Sequence, residues 1–180
     1  DYVINLRREF HQIPEPSLEE YETSKRIQEE LDKMGIKYKV VAKTGVVAEI
    51  GGKPPGKVVA LRADIDALQV TECTGVDYAS KHPGMMHACG HDGHVGTLLA
   101  AVHYINQHRD FARRLVAIFQ RGEEGFAGGR YMIEDGLVQK FGIDEFYALH
   151  AEPLLPVGFV GFIPGFATAN ADIFKITFTG

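Results

Sequence analysis

Apolar residues at Val3, Ile4, Leu6 and Phe10 lie at helical spacing and predict a short amphipathic helix over 2–10. The prolines of Ile13-Pro14-Glu15-Pro16 break it. Ser17 with Glu20 makes a capping-box pattern that predicts the start of a second helix. Leu18, Tyr21, Ile27, Leu31 and Met34 follow near helical spacing, and Gly35 is a suitable stop. Strand-like runs come next, at 36–41 and 45–50, closed by the turn signal Gly51-Gly52-Lys53-Pro54-Pro55-Gly56. The mostly apolar run 57–63 predicts a strand covered on both faces, with Asp64-Ile65-Asp66 at its carboxyl end.

Beyond a loop, 95–105 reads as an apolar helix. The run 115–119 is a second buried strand, delivering Gln120 to Glu124 at its end. A glycine-rich turn leads into a helix over 130–135, and 146–149 is a further short strand ending in His150. Strands alternating with helices predict an α/β sandwich with a mainly parallel sheet, whose functional groups collect outside the carboxyl ends of the strands. The tail differs: 158–166, rich in Gly and Phe, is expected to form a hairpin, and 171–179 to form a strand. That strand lacks a partner, so the chain is expected to belong to something longer. The start at Asp1 rather than Met points the same way.

Composition narrows the function classes. At 180 residues the chain can bury a core of its own, and a formal net charge of -5 gives no basic footprint for nucleic acid. Cys73 and Cys89 are too few for a disulfide scaffold and suit a reducing compartment, so a cytoplasmic location is expected. Neither a membrane-spanning apolar run nor a signal peptide is visible.

The chemistry concentrates in Met86-His87-Ala88-Cys89-Gly90-His91-Asp92-Gly93-His94, with Glu123-Glu124 and His150 downstream. Thiol, imidazole and carboxylate are the donors that divalent transition metals prefer. Cys89 and His91 cannot share a helix face, but in the turn before a helix they can converge on one ion. The plain alternative is a buried cysteine beside histidines that cap the helix. Adjacent glutamates are usually a solvated pair; in a site, one can ligate while the other moves a proton. Asp64 and Asp66 either ligate, orient a histidine, or cap a loop. His87 and His94 line the site without being assigned as ligands, whereas His11, His82, His103 and His108 are assigned structural or surface places. A thiol-nucleophile enzyme built on Cys89 leaves the glutamate pair unexplained.

The segments 87–94 and 61–68, with Phe119-Gln120 and Glu123-Glu124-Gly125, resemble the metal-dependent amidohydrolase family. The branch is that of hippurate hydrolase, N-acyl-amino-acid amidohydrolases and plant auxin-conjugate hydrolases. The opening Arg7-Arg8-Glu9-Phe10-His11-Gln12-Ile13-Pro14-Glu15 is similar too, so the resemblance runs through essentially the whole chain. It implies a zinc-exopeptidase-like catalytic domain, a three-layer sandwich with a mixed, mainly parallel sheet. It also implies two divalent ions (manganese, zinc, cobalt or nickel), with Cys89, His91, Glu124 and His150 as ligands and Glu123 as general base. Distant relatives place a histidine ligand where Asp64 stands; here Cys89 takes that function, and Asp64 and Asp66 are left to orient ligands.

The resemblance further implies a catalytic part over 1–170 and, from 171, the start of an inserted domain that dimerises and supplies a substrate-contacting histidine. One more histidine ligand is expected beyond it. Two departures stand out: Arg121-Gly122 replaces a common Pro-Ala before the glutamates, and Gln69 replaces a common proline. The implied activity is hydrolysis of small-molecule N-acyl amino acids. The alternatives are a metallo-exopeptidase, acting as dipeptidase or carboxypeptidase, and a non-catalytic metal-binding fragment.

Overall fold

A computed structural model describes residues 1–53, 56–111, 114–166 and 174–179. Five strands form one mixed sheet in the order β1-β2-β4-β3-β5. They are β1 (Tyr38–Val41), β2 (Gly45–Ile50), β3 (Val58–Asp64), β4 (Arg114–Gln120) and β5 (Glu145–Ala148). β4, β3 and β5 run parallel to one another, while β2 is antiparallel to both β1 and β4. The parallel half places the ends of β3, β4 and β5 along one rim of the sheet, and the candidate chemistry follows those ends.

Strand periodicity divides the core in two. Val46, Ala48 and Ile50 of β2 share one face with Leu115, Ala117 and Phe119 of β4. Against that face pack α1 (Tyr2–His11), α2 (Tyr21–Lys33) and α3 (His91–Gln107), through Phe10, Leu31 and Leu99 among others. Val47, Ala60, Val116 and Ile118 point the other way, toward Met132 of α5 (Gly128–Glu134) and toward Leu137 and Phe141 of α6 (Leu137–Phe141). The fold is thus a three-layer α/β/α sandwich. Each fully buried Leu, Ile or Phe in it contributes about 1.5–3 kcal/mol from area removed from water.

Glycine permits close packing between the layers, as at Gly96 and Gly45. A Cβ on Gly96 of α3 would meet the backbone of α1 at 3.4 Å, so the two helices touch there. At Gly45 a Cβ would lie 2.8 Å from the Met132 side chain, which fixes α5 over the start of β2.

Three expectations from sequence are corrected and one element is added. Ser17 and Glu20 form no capping box: the helix starts at Tyr21, and both side chains reach across the fold to other segments. Residues 158–166 form no hairpin; Phe159, Val160, Phe162 and Ile163 are exposed, and their unbroken apolar run lacks the alternation that would set a register. The strand expected over 171–179 is absent from 174–179, where no strand among the described residues pairs with the backbone, and 171–173 lie outside the described residues. The short helix α6, whose five residues are too few to show a period, was not anticipated.

The connection from β3 to α3 is a long irregular loop, held by isolated bridges between Pro16 and Ala67 and between Leu68 and Met86. Glu72 is its main anchor, accepting hydrogen bonds from the Ser80 amide (2.6 Å), the Thr74 hydroxyl and His11 (3.2 Å). The Ser80 amide and the Thr74 hydroxyl, joined by His11, outweigh burial and hold the carboxyl down at about 2. A depressed folded-state value adds stability that is present above the ordinary glutamate range and lost as pH falls toward about 2. Urea unfolding of the chain and of Glu72→Gln is therefore expected to differ at pH 6 and to converge between pH 4.5 and 2; a gap independent of pH would refute the assignment.

Candidate metal centre

Gly90 begins the site. Its φ of +87° turns the chain left-handed just before α3, which brings Cys89 and His91 to the same side. His91, the first residue of α3, is 1% exposed. Its Nδ1 lies 2.9 Å from the Asp66 carbonyl oxygen and 3.2 Å from Asp66 Oδ1. Both are acceptors, so Nδ1 carries the proton and donates, and the Nε2 lone pair faces into the cleft.

Three carboxylates surround that lone pair. Asp64 Oδ2 is 3.6 Å from His91 Nε2, Glu124 Oε1 is 3.7 Å away and Glu123 Oε2 is 3.9 Å away. Cys89 Sγ lies 3.5 Å from His150 Nε2, and the Nδ1 of His150 faces the Ala151 carbonyl at 2.8 Å. The ends of β3, β4 and β5 and the start of α3 therefore converge as the alternating pattern of elements implies. Glu123 and Glu124 sit on α4 (Glu123–Phe126), a single kinked turn entered through Gly122 at φ +56°.

Among the described residues, two donor groups are close enough to hold an ion: Cys89, His91 and Glu124, and Asp64, His91, His94 and His150, the candidate atoms of each lying within 4.8 Å of one another. The first group passes a further test. His91 Nε2 and Glu124 Oε1 are buried and have no hydrogen-bond partner among the described residues. At 3.7 Å they are too far apart to bond each other, yet both can reach one ion with ligand bonds of about 2.0–2.2 Å. Burial, contact with Glu124 and the nearby Glu123 and Asp64 charges push the Cys89 thiol up to about 12. A thiolate there requires a cation beside it.

His94 is different. Its Nε2 accepts the Ala151 amide at 2.8 Å, and its Nδ1 donates to Asp64 Oδ1 at 2.6 Å. Both nitrogens are engaged, so His94 offers no free lone pair; it ties the chain after His150 to β3. Asp64 is completed by Arg62 Nη1 at 2.7 Å. Burial opposes its ionisation, but the His94 hydrogen bond and the His91, Arg62 and His94 charges prevail and lower its pKa. Sequence reasoning placed His94 at the site but did not show this engagement; the signal was Asp64 at the carboxyl end of β3.

Asp66 ties the centre together. Its Oδ2 accepts from Ser17 Oγ at 2.6 Å and from the Glu124 amide at 2.9 Å, while Oδ1 faces His91. Despite burial, hydrogen bonds from His91, Ser17 and the Glu124 amide hold it at about 2. The other histidines that sequence singled out hold no candidate ion: His11 bridges Asp92 and Glu72, His82 faces the Pro14 carbonyl, and His87 lines the cleft beside Cys89, buried and with neither nitrogen partnered among the described residues. Desolvation pushes His87 down to about 4, so it is neutral.

Residues 60–178 match the model of peptidase family M20/M25/M40. The chain belongs to this family. It is 46% identical over 180 residues to the N-acetyl-L-cysteine deacetylase of Bacillus subtilis, covering 99% of this chain and 43% of that protein. It is 42% identical to the IAA-amino acid hydrolase ILR1-like 2 of Arabidopsis thaliana, covering 100% of this chain and 41% of the relative. A solved structure from Bacillus subtilis, described as a dinuclear metal binding peptidase from the M20 family, superposes with a TM-score of 0.83 at 43% identity. The match spans 87% of this chain and 44% of that one. The chain thus spans less than half the length of these M20-family relatives. No helix among the described residues is long and apolar enough to cross a membrane.

In this M20-family chain, Asp66→Ala is expected to weaken divalent-ion binding by about 10–100-fold, because His91 loses one of its two orienting acceptors and the Glu124 amide loses its own. Calorimetric titration with Mn²⁺ or Zn²⁺ reads this directly. Unchanged affinity would mean that the Asp66 carbonyl alone orients the ring.

Proposed function

We propose that the protein of which this chain forms part hydrolyses the amide bond of small N-acyl amino acids, releasing a carboxylate and a free amino acid. The observation that carries the reading is the pair of unpartnered buried atoms, His91 Nε2 and Glu124 Oε1, beside the Cys89 thiol and the more open Glu123 carboxylate. In this reading Cys89, His91, Glu124 and His150 hold two divalent ions, drawn from manganese, zinc, cobalt and nickel. Bound there, such ions supply Lewis acidity toward a carbonyl oxygen and toward water.

The protein's own groups do the rest. Glu123 is 38% exposed at its side chain and makes no hydrogen bond to another described residue, so its carboxylate is available to accept a proton. It takes that proton from the attacking water as the water oxygen bonds to the acyl carbon. It then delivers the proton to the amine nitrogen as the C–N bond breaks. Asp66 keeps His91 in one tautomer, and the Asp64–His94 pair holds the backbone beside His150.

Residues 1–170 form the catalytic part in this proposal, and an inserted domain that mediates homodimerisation begins at 171. Free Cys73 and Cys89 accord with a cytoplasmic location.

The deciding experiment is Glu123→Gln in the full-length protein, assayed on acetyl and benzoyl amino acids and on dipeptides. Turnover is expected to fall by about 10²–10⁴-fold while metal content by elemental analysis stays within a few-fold of wild type. Loss of metal would make Glu123 a ligand instead, and faster hydrolysis of dipeptides would favour an exopeptidase. Cys89→Ser and His91→Ala are expected to lose the ion; retention in both would remove the basis of the reading.

A further inference from the structure

Directly beneath the glutamate turn lies a buried ion pair that the chemistry above does not use. Arg121 is 6% exposed and Glu20 is fully buried, with Arg121 Nε 3.9 Å from Glu20 Oε2. The guanidinium donates to the Leu18 carbonyl at 2.6 Å and to the Ala42 carbonyl. Leu18 and Ala42 are two of the four described non-glycine residues with positive φ, at +70° and +51°. One guanidinium therefore holds two loops at the points where their backbone is least favourable.

Glu20 completes the arrangement. Its Oε1 accepts the amides of Leu18 and Gly122, each at 2.7 Å, and its Oε2 accepts the Thr44 hydroxyl at 2.6 Å. Three segments far apart in sequence thus meet at the peptide that precedes Glu123. Gly122 packs closely on this arrangement: an added Cβ would lie 2.4 Å from Leu18 Cδ2. Beyond the pair, the Glu124 amide is held by Asp66 Oδ2. Charged side chains without a role in packing rarely sit this deep, since burying them unpaired is costly.

We propose that Arg121 and Glu20 are positioning residues that set the geometry of the Glu123-Glu124 turn. The consequence for ion binding rests on the role given to Glu124 above; the consequence for backbone order does not. Arg121 acts through the turn and touches no reacting atom.

The test compares the chain with Arg121→Met and Arg121→Lys by amide hydrogen exchange at Gly122 and Glu124 and by Mn²⁺ titration. In Arg121→Met, protection at both amides is expected to fall about tenfold while that of Val116 to Phe119 in β4 is kept. Mn²⁺ affinity is expected to fall about tenfold as well, with Arg121→Lys intermediate because it keeps the charge and loses the fork. Wild-type protection at Gly122 and Glu124 in the folded variant would overturn the proposal. So would an equal loss along β4, which marks a role in global stability alone. If Arg121→Met does not fold, Arg121→Lys decides by the same two amides. Failure of the unmodified chain to bind Mn²⁺ would count against the metal reading, and the exchange result would still decide the positioning role.

Discussion

The Asp66 carboxylate is the constraint on which the centre depends. It lies at the carboxyl end of β3, is fully buried, and joins Ser17 before α2, His91 at the start of α3 and the Glu124 amide after β4. Each bond solves a local problem and together they solve a global one. A carboxylate buried this deep is tolerable only with several donors, and the donors come from the segments that must converge. The site is thus assembled by the same hydrogen bonds that allow a charge to remain in the interior.

Sheet topology explains why one residue can reach so many segments. β3 and β4 are adjacent and parallel, so Asp64 pairs in register with Gln120 and both strands empty at the same rim. The helix that follows β3 runs back across one face and starts at that rim. Hence His91 and the glutamate turn approach each other without either strand being distorted. Asp66, Glu123, Glu124 and His150 lie just beyond strand ends, and Cys89 and His91 lie where the long loop after β3 enters α3, so these side chains are free of the ladder.

Much of this was legible in the sequence because burial on both faces writes itself as an apolar run. The strands at 58–64 and 114–120 and the long helix after the histidine motif were visible in this way. The metal-type residues stood out because cysteine, histidines and paired glutamates recur together at strand ends, although each alone has an ordinary reading as a buried thiol, a helix cap or a solvated pair. What was not legible depended on contacts between distant segments. Ser17 and Glu20 look like a capping box, but their partners are Asp66, Thr44 and Gly122. Arg121 reads only as a departure from the family's pattern before the glutamates, because its buried counter-charge Glu20 lies about a hundred positions away. His94 reads like one more imidazole at the site, and only the Ala151 amide and Asp64 show both its nitrogens in use. The tail misled for the opposite reason: its strand-like composition has no neighbouring strand to pair with among the described residues.

Charge balance gives the last step. Asp64, Asp66, Glu123, Glu124 and Cys89 crowd one end of the sheet; Arg62 offsets Asp64, and hydrogen-bond donors offset Asp66. Among the described residues no lysine or arginine pairs with Glu123 or Glu124, and burial together with these carboxylates and Asp64 pushes the Cys89 thiol up to about 12. Such a cluster is self-consistent in two ways. Either protons neutralise it, leaving His91 Nε2 and Glu124 Oε1 without partners, or a divalent cation does, and the same atoms become its ligands. The second arrangement answers every unmet donor with one species, and it needs no movement of the strands that carry them.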